Sequence, residues 1–170
     1  MDLFVSKRQG KWQAQYGARV FACAVGRSGL ASNKQEGDGT TPIGCFPMRY
    51  LLFRPDRMDP PETNGLAVRA VAPQLGWCDA PEDPAYNQPI NLPYPASAER
   101  LWREDDLYDL LVVLGYNDNP PLAGRGSAIF LHIARPDLSP TEGCIALRRS
   151  DLLQVLATAN ERARVCVLAD

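Results

Sequence analysis

Apolar and polar positions alternate almost from the first residue. Trp12-Gln13-Ala14-Gln15-Tyr16 has the period-two pattern of a half-buried strand, punctuated by Gly10 and Gly17, and the whole of Leu3 to Val25 reads as strands. Val20 to Val25 is a short apolar run, which predicts a strand buried on both faces. Phe46, Met48, Tyr50 and Leu52 recur at period two and predict another strand with these four residues on one face. Leu107 to Tyr116, Ser127 to Ile133 and Val165 to Leu168 complete the strand set. One segment changes period. Leu152, Leu153, Val155, Leu156 and Ala159 form a 3.6-residue stripe, which predicts a helix N-capped by Ser150 and stopping near Asn160. Ser97 to Arg103 predicts a helical turn capped by Ser97.

Two irregular stretches separate these elements. Residues 26–44 are glycine-rich and polar, and their composition predicts a surface loop. Residues 55–97 hold most of the prolines but also Trp77, Tyr86 and Tyr94. A linker would lack such residues, so an ordered excursion with short strands is predicted. With 15 Pro and 13 Gly in 170 residues, turns are frequent, which suits a β-rich fold better than a helix bundle.

Charge narrows the function classes. The 18 basic and 20 acidic residues leave a net charge of -2, which argues against a protein that coats nucleic acid. Only Lys7, Lys11 and Lys34 are lysines, and the remaining basic residues are arginines, which grip carboxylates as a fork. No stretch approaches the roughly 20 apolar residues of a membrane span, and Met1 to Arg8 lacks the apolar core of a signal peptide, so the chain as written reads as cytoplasmic. The five cysteines contain no Cys-x-x-Cys pair. With a single histidine, His132, a metal site is disfavoured.

Candidate chemistry concentrates in one block. Ser127 to His132 and Cys144 to Leu147 both read as strands, and the loop between them is long enough to lay the two side by side. His132 then ends one strand and Cys144 begins the next. A free thiol titrates near 8.5, and a neighbouring imidazole can take its proton to make the nucleophile. In that arrangement an imidazolium–thiolate pair is expected to lower the thiol pKa. Gly143 permits a tight turn and leaves the Gly143 and Cys144 amides available as oxyanion donors. On residue types alone, a histidine beside Phe130 and Leu131 is more often a core residue than a catalytic one, and so is a cysteine before Ile145.

His132 followed by Thr141-Glu142-Gly143-Cys144 resembles the signature of the YkuD-type L,D-transpeptidases, a His and then Ser/Thr-His-Gly-Cys. Gly39 to Pro47 is similar to that family's Thr-Pro-x-Gly-x-Phe segment. Segments such as Trp77-Cys78-Asp79, Tyr86-Asn87, Gly115-Tyr116-Asn117-Asp118 and Gly124 to His132 resemble a single-domain proteobacterial branch. The resemblance implies a mainly β fold, a β-sandwich with few short helices, and residues 1–170 as one catalytic domain. It implies peptidoglycan cross-linking through a Cys144 acyl-enzyme, with His132 as base and then acid, in cell-wall biogenesis and cell shape. It implies no cofactor, stem peptides as substrates, carbapenem-type β-lactams as covalent inhibitors, a monomer, and an address in the periplasm or cell envelope. The branch is associated with cross-links from residue one to residue three of the stem. The alternative on the same site is an L,D-carboxypeptidase or amidase that trims peptidoglycan fragments.

Two departures from the pattern matter. Glu142 replaces the second histidine and is expected to point away from the sulfur, toward a cationic amine, because a facing carboxylate would raise the thiol pKa. Ala146 stands where an arginine is common, which leaves Arg57, Arg103, Arg125 or Arg148 to hold a substrate carboxylate. Tyr86, Asn87, Trp102, Arg103, Asn117, Asp118, Thr141 and Glu142 are the expected substrate-binding residues.

Overall fold

The computed structural model describes residues 1–169. An antiparallel meander opens the chain: β1 (Leu3–Arg8), β2 (Lys11–Tyr16) and β3 (Arg19–Ala24). Gln9 and Gly10 both adopt positive φ, which matches the right-handed twist of the flanking strands in a two-residue hairpin. Two short strands, β4 (Leu30–Ala31) and β5 (Thr41–Pro42), then lead into the long β6 (Gly44–Phe53). The proline-rich excursion carries β7 (Val68–Ala70), β8 (Leu75–Cys78), β9 (Pro89–Asn91) and β10 (Ala98–Arg100). The remainder is β11 (Leu110–Leu114), β12 (Phe130–Ile133), β13 (Ile145–Leu147), α1 (Arg149–Leu156) and β14 (Arg164–Val167).

Neighbouring strands run β11-β12-β13-β3-β2-β1-β14-β6, and β6 also pairs with β11, so the sheet closes on itself. The two layers of the expected sandwich therefore share β3 and β6. Alternate residues fill the interior: Leu3 and Val5, Leu110, Val112 and Leu114, Leu131 and Ile133, Ile145 and Leu147, with Leu152, Val155 and Leu156 from α1. The opposite parity, Leu111, Val113, Phe130 and Cys144, faces outward under the excursion and packs with Trp77, Leu101 and Tyr108. The excursion thus roofs one outer face of the sheet with its own three-stranded sheet, β10-β8-β9.

Several expectations need correction. Val20 is 55% exposed, because β3 alternates while it pairs with β2. The strand becomes buried on both sides only from Cys23 onward, where it turns to β13. On β6 the register shifts between the pairs Val113–Tyr50 and Leu114–Met48, leaving Arg49 extra. Met48 consequently joins the interior with Leu51 and Phe53, while Tyr50 and Leu52 face the roof. The segment at Ser97 is strand β10, because the open edge of β8 pairs with it over three residues. The helix begins at Arg149 with Arg148 as its N-cap and no side-chain cap. β13 ends at Leu147, so the chain enters the helix at once and Ser150 falls inside its first turn.

Candidate active site

Parity places the site. In the parallel pair β12–β13, Leu131 lies beside Ile145 and His132 beside Ala146, which sets Cys144 beside Phe130. Both Cys144 and His132 therefore emerge on the outer face, under the roof, and line one cavity of about 460 Å³.

The Gly143–Cys144 turn is fixed from the glycine-rich loop. Thr41 Oγ1 donates to Gly143 O at 2.8 Å and accepts from Gly26 N–H at 2.8 Å. Gly143 has φ +142, and a Cβ there would meet Thr40 O at 2.8 Å, so no larger residue fits before the cysteine. Thr141 Oγ1 donates to Cys144 O at 2.6 Å and accepts from Gly143 N–H at 3.1 Å. The Gly143 amide is thus already engaged, contrary to its expected role as a free oxyanion donor.

The sulfur is seated on the backbone of residues 128–130. Phe130 N–H donates to Sγ at 3.4 Å, and the thiol donates to Ala128 O at 3.2 Å. Ala128 has φ +52, a conformation that costs a non-glycine residue roughly 1–2 kcal/mol. Burial pushes the Cys144 thiol up to about 12; the Glu99 charge adds to this, while Phe130 N–H and Lys34 oppose it. Burial also pushes the His132 imidazole down to about 4, against a hydrogen bond to the Ile133 carbonyl. Burial thus favours the neutral thiol and the neutral imidazole, the opposite direction to the expected imidazolium–thiolate pair. His132 Nδ1 lies 2.8 Å from Ile133 O and packs edge-on to Tyr108 at 5.2 Å between ring centroids. With the proton on Nδ1, Nε2 is left as the acceptor.

Three of the eight expected substrate contacts line this cavity: Thr141, Glu142 and Arg103. Glu142 is largely exposed and pairs with Arg27 at 2.9 Å, so it does point away from the sulfur. Arg103 pairs with Asp105 at 2.6 Å and lies over the Tyr108 ring. The other five do not line the cavity, because each completes the scaffold. Buried Tyr86 hydrogen-bonds Glu36 and accepts from Gly126 N–H. Trp102 stacks on the Arg54 guanidinium at 3.8 Å. Asn117 bonds Leu122 and Gly126 within its own loop. Asp118 pairs with Arg49. Asn87 is buried and fully bonded. Its Nδ2 donates to the carbonyls of Tyr116 (3.0 Å) and Asn117 (2.7 Å), and its Oδ1 accepts from Trp77 Nε1 (2.9 Å) and Ala128 N–H (3.0 Å).

Sequence reasoning missed Lys34, Glu36, Asp79, Glu99 and Arg135, which all line the cavity. The loop read as surface holds Lys34 buried against Asp38 at 2.8 Å, and with Glu36 it forms one wall. Glu36, Asp79 and Glu99 form no ion pair with arginine or lysine among the described residues. Of the four arginine candidates, Arg57, Arg125 and Arg148 do not line the cavity, which leaves Arg103, joined there by Arg135. No group of three metal-ligating side chains is assembled among the described residues, and no helix there is long and apolar enough to cross a membrane.

A closed β framework brings Cys144, just before β13, and His132 on β12 into one cavity roofed by an inserted sheet. The sequence model of the YkuD family, the L,D-transpeptidase catalytic domain, matches residues 3–167, and the chain belongs to this family, whose members act on cell-wall peptidoglycan. No curated relative matches the chain at a significant level.

Proposed function

We propose that this chain is a cysteine-dependent peptidoglycan L,D-transpeptidase, with residues 1–170 acting as one catalytic domain. The observation that carries the reading is the convergence of Cys144 and His132 on one roofed cavity. Cys144 Sγ attacks a stem-peptide carbonyl while its proton passes to His132 Nε2. The Cys144 N–H supports the oxyanion, since Gly143 N–H is engaged. The C–N bond breaks, His132 returns the proton to the leaving amine, and a thioester remains. An acceptor amine then attacks the thioester, gives its proton to His132 and expels the sulfur, which regains that proton. Because burial favours the neutral pair, proton transfer accompanies attack rather than preceding it.

An amine acceptor is favoured over water by Glu36, Asp79 and Glu99, carboxylates that face the cavity without a cation. Arg103 and Arg135 suit the substrate carboxylates. The cross-link from residue one to residue three is the product that the resemblance to the single-domain branch supports, and hydrolytic trimming of fragments is the second reading. The Cys45–Cys166 disulfide supports an oxidising address such as the periplasm or cell envelope.

The test is Cys144→Ala with purified peptidoglycan fragments. Turnover disappears while the melting transition persists, and a carbapenem adds its mass to the wild type but not to the variant. Residual turnover in the variant overturns the mechanism. Dimeric muropeptides from the wild type support the transpeptidase, and trimmed monomers alone support the hydrolase.

A further inference from the structure

We infer that Asn87 is a positioning residue for the nucleophile, acting through the backbone of Ala128. The inference rests on the reading of Cys144 as the nucleophile. Ala128 is the one residue whose carbonyl accepts the Cys144 thiol, and it does so from positive φ. A non-glycine residue holds that conformation only when its surroundings impose it. The imposing contact is a hydrogen bond: Ala128 N–H donates to Asn87 Oδ1 at 3.0 Å. Asn87 is itself fixed, because its two amide protons and its second oxygen lone pair are spent on Tyr116, Asn117 and Trp77. A chain of hydrogen bonds therefore runs from the roof to the sulfur: Trp77 and the residue 116–117 turn hold Asn87, Asn87 holds Ala128, and Ala128 holds the thiol.

The chemistry of that last contact is specific. A carbonyl can bind a thiol but only repels a thiolate, so Ala128 O stabilises the protonated, parked sulfur. Phe130 N–H serves the opposite form by donating to the sulfur. The charged and titratable groups around the thiol are Glu99 on β10, Lys34 in the residue 26–44 loop, His132 on β12 and Tyr108 before β11. A substitution at Asn87 alters none of them, and rescue by Ala128→Gly separates the carbonyl contact from a change in burial of the sulfur.

The experiment is the pH profile of Cys144 alkylation by iodoacetamide, read by mass, alongside kcat and KM on peptidoglycan fragments. In Asn87→Ala, Ala128 relaxes and its carbonyl leaves the thiol. The alkylation midpoint then moves down by roughly half to one pH unit, the equivalent of one ordinary hydrogen bond. The value of kcat falls about tenfold, because the loss of a fixed sulfur position outweighs its easier ionisation, and KM changes little because substrate binding is untouched. Adding Ala128→Gly to Asn87→Ala moves both readouts back toward wild type, since glycine adopts positive φ without the asparagine. A purely structural role for Asn87 predicts no such rescue. An unmoved midpoint in a folded Asn87→Ala protein overturns the inference, as does a double variant no better than the single one. If Asn87→Ala does not fold, Ala128→Val tests the same contact with Asn87 intact. A β-branched residue rejects positive φ, so the midpoint must fall, and an unmoved midpoint again overturns the inference. The alkylation readout needs no transpeptidation. Failure here is therefore separable from failure of the proposed function, which shows as turnover retained in Cys144→Ala.

Discussion

Burial holds the imidazole of His132 down to about 4, whereas an unfolded histidine titrates near 6.5. Between those values the unfolded chain binds the extra proton, so acidification favours unfolding. The stability contributed by neutral His132 is fully present above pH 6.5 and is lost as pH falls toward 4. The wild type should lose about 3 kcal/mol from this group over that window. Denaturant unfolding of His132→Gln at both ends of the window checks this, because the variant's stability should change less with pH by that amount. An equal pH dependence in the two proteins would mean that His132 is charged or solvated in the folded state. The neutral imidazole is also what a general base needs, since a histidine already protonated could not accept the thiol proton.

The excursion, α1 and β11 are joined by one carboxylate. Asp109, just before β11, is 5% exposed and pairs with Arg57 from the start of the excursion at 2.8 Å and with Arg149 at the first turn of α1. Both guanidiniums keep about a third of their surface, 31% and 38%, so the cost of breaking the pairs falls below that of a fully buried ion pair. Asp109→Asn preserves volume but removes the charge, and should cost about 2–4 kcal/mol. The melting temperature should drop on the order of 10 °C by calorimetry. A drop of only a degree or two would show that the two arginines find water as readily as Asp109. No local pattern marks this residue, since its partners lie far away in sequence, while its neighbours Leu110 to Leu114 announce their strand by composition alone.

Closure of the sheet depends on β6 meeting both β14 and β11. Cys45 and Cys166 lie opposite each other on β6 and β14 and are joined by a disulfide that spans 121 residues of sequence. A loop of that size loses much of its freedom in the unfolded chain, so Cys45→Ser with Cys166→Ser should cost about 2–5 kcal/mol. Calorimetry with and without reductant checks this. Thiol titration of the unfolded protein should find three thiols before reduction, Cys23, Cys78 and Cys144, and five after. Five thiols before reduction would remove the disulfide and the support it gives to an oxidising address.

Period and residue type made the strands, the helix stripe and the Cys144–His132 block legible, because alternation is a local consequence of which side chains meet water. The order Thr141-Glu142-Gly143-Cys144 also carried the family likeness, and the model match over residues 3–167 agrees with it. What the linear pattern left open depends on contacts between distant segments. The extra residue Arg49 shifts Tyr50 and Leu52 to the roof, since only pairing with β11 reveals the bulge. Asn87 and Tyr86 are polar and lie in a loop-like segment, so they read as groove residues. Their hydrogen bonds to Ala128, Gly126 and Glu36 make them scaffold instead. Glu99 and Lys34 reach the thiol only because β10 adds to β8 and the glycine-rich loop folds against the Gly143 turn. Local hydrophobicity decides which face of a strand is buried. Which distant groups share that burial is decided by long-range pairing, and that pairing buries Cys144 and His132 together under the roof.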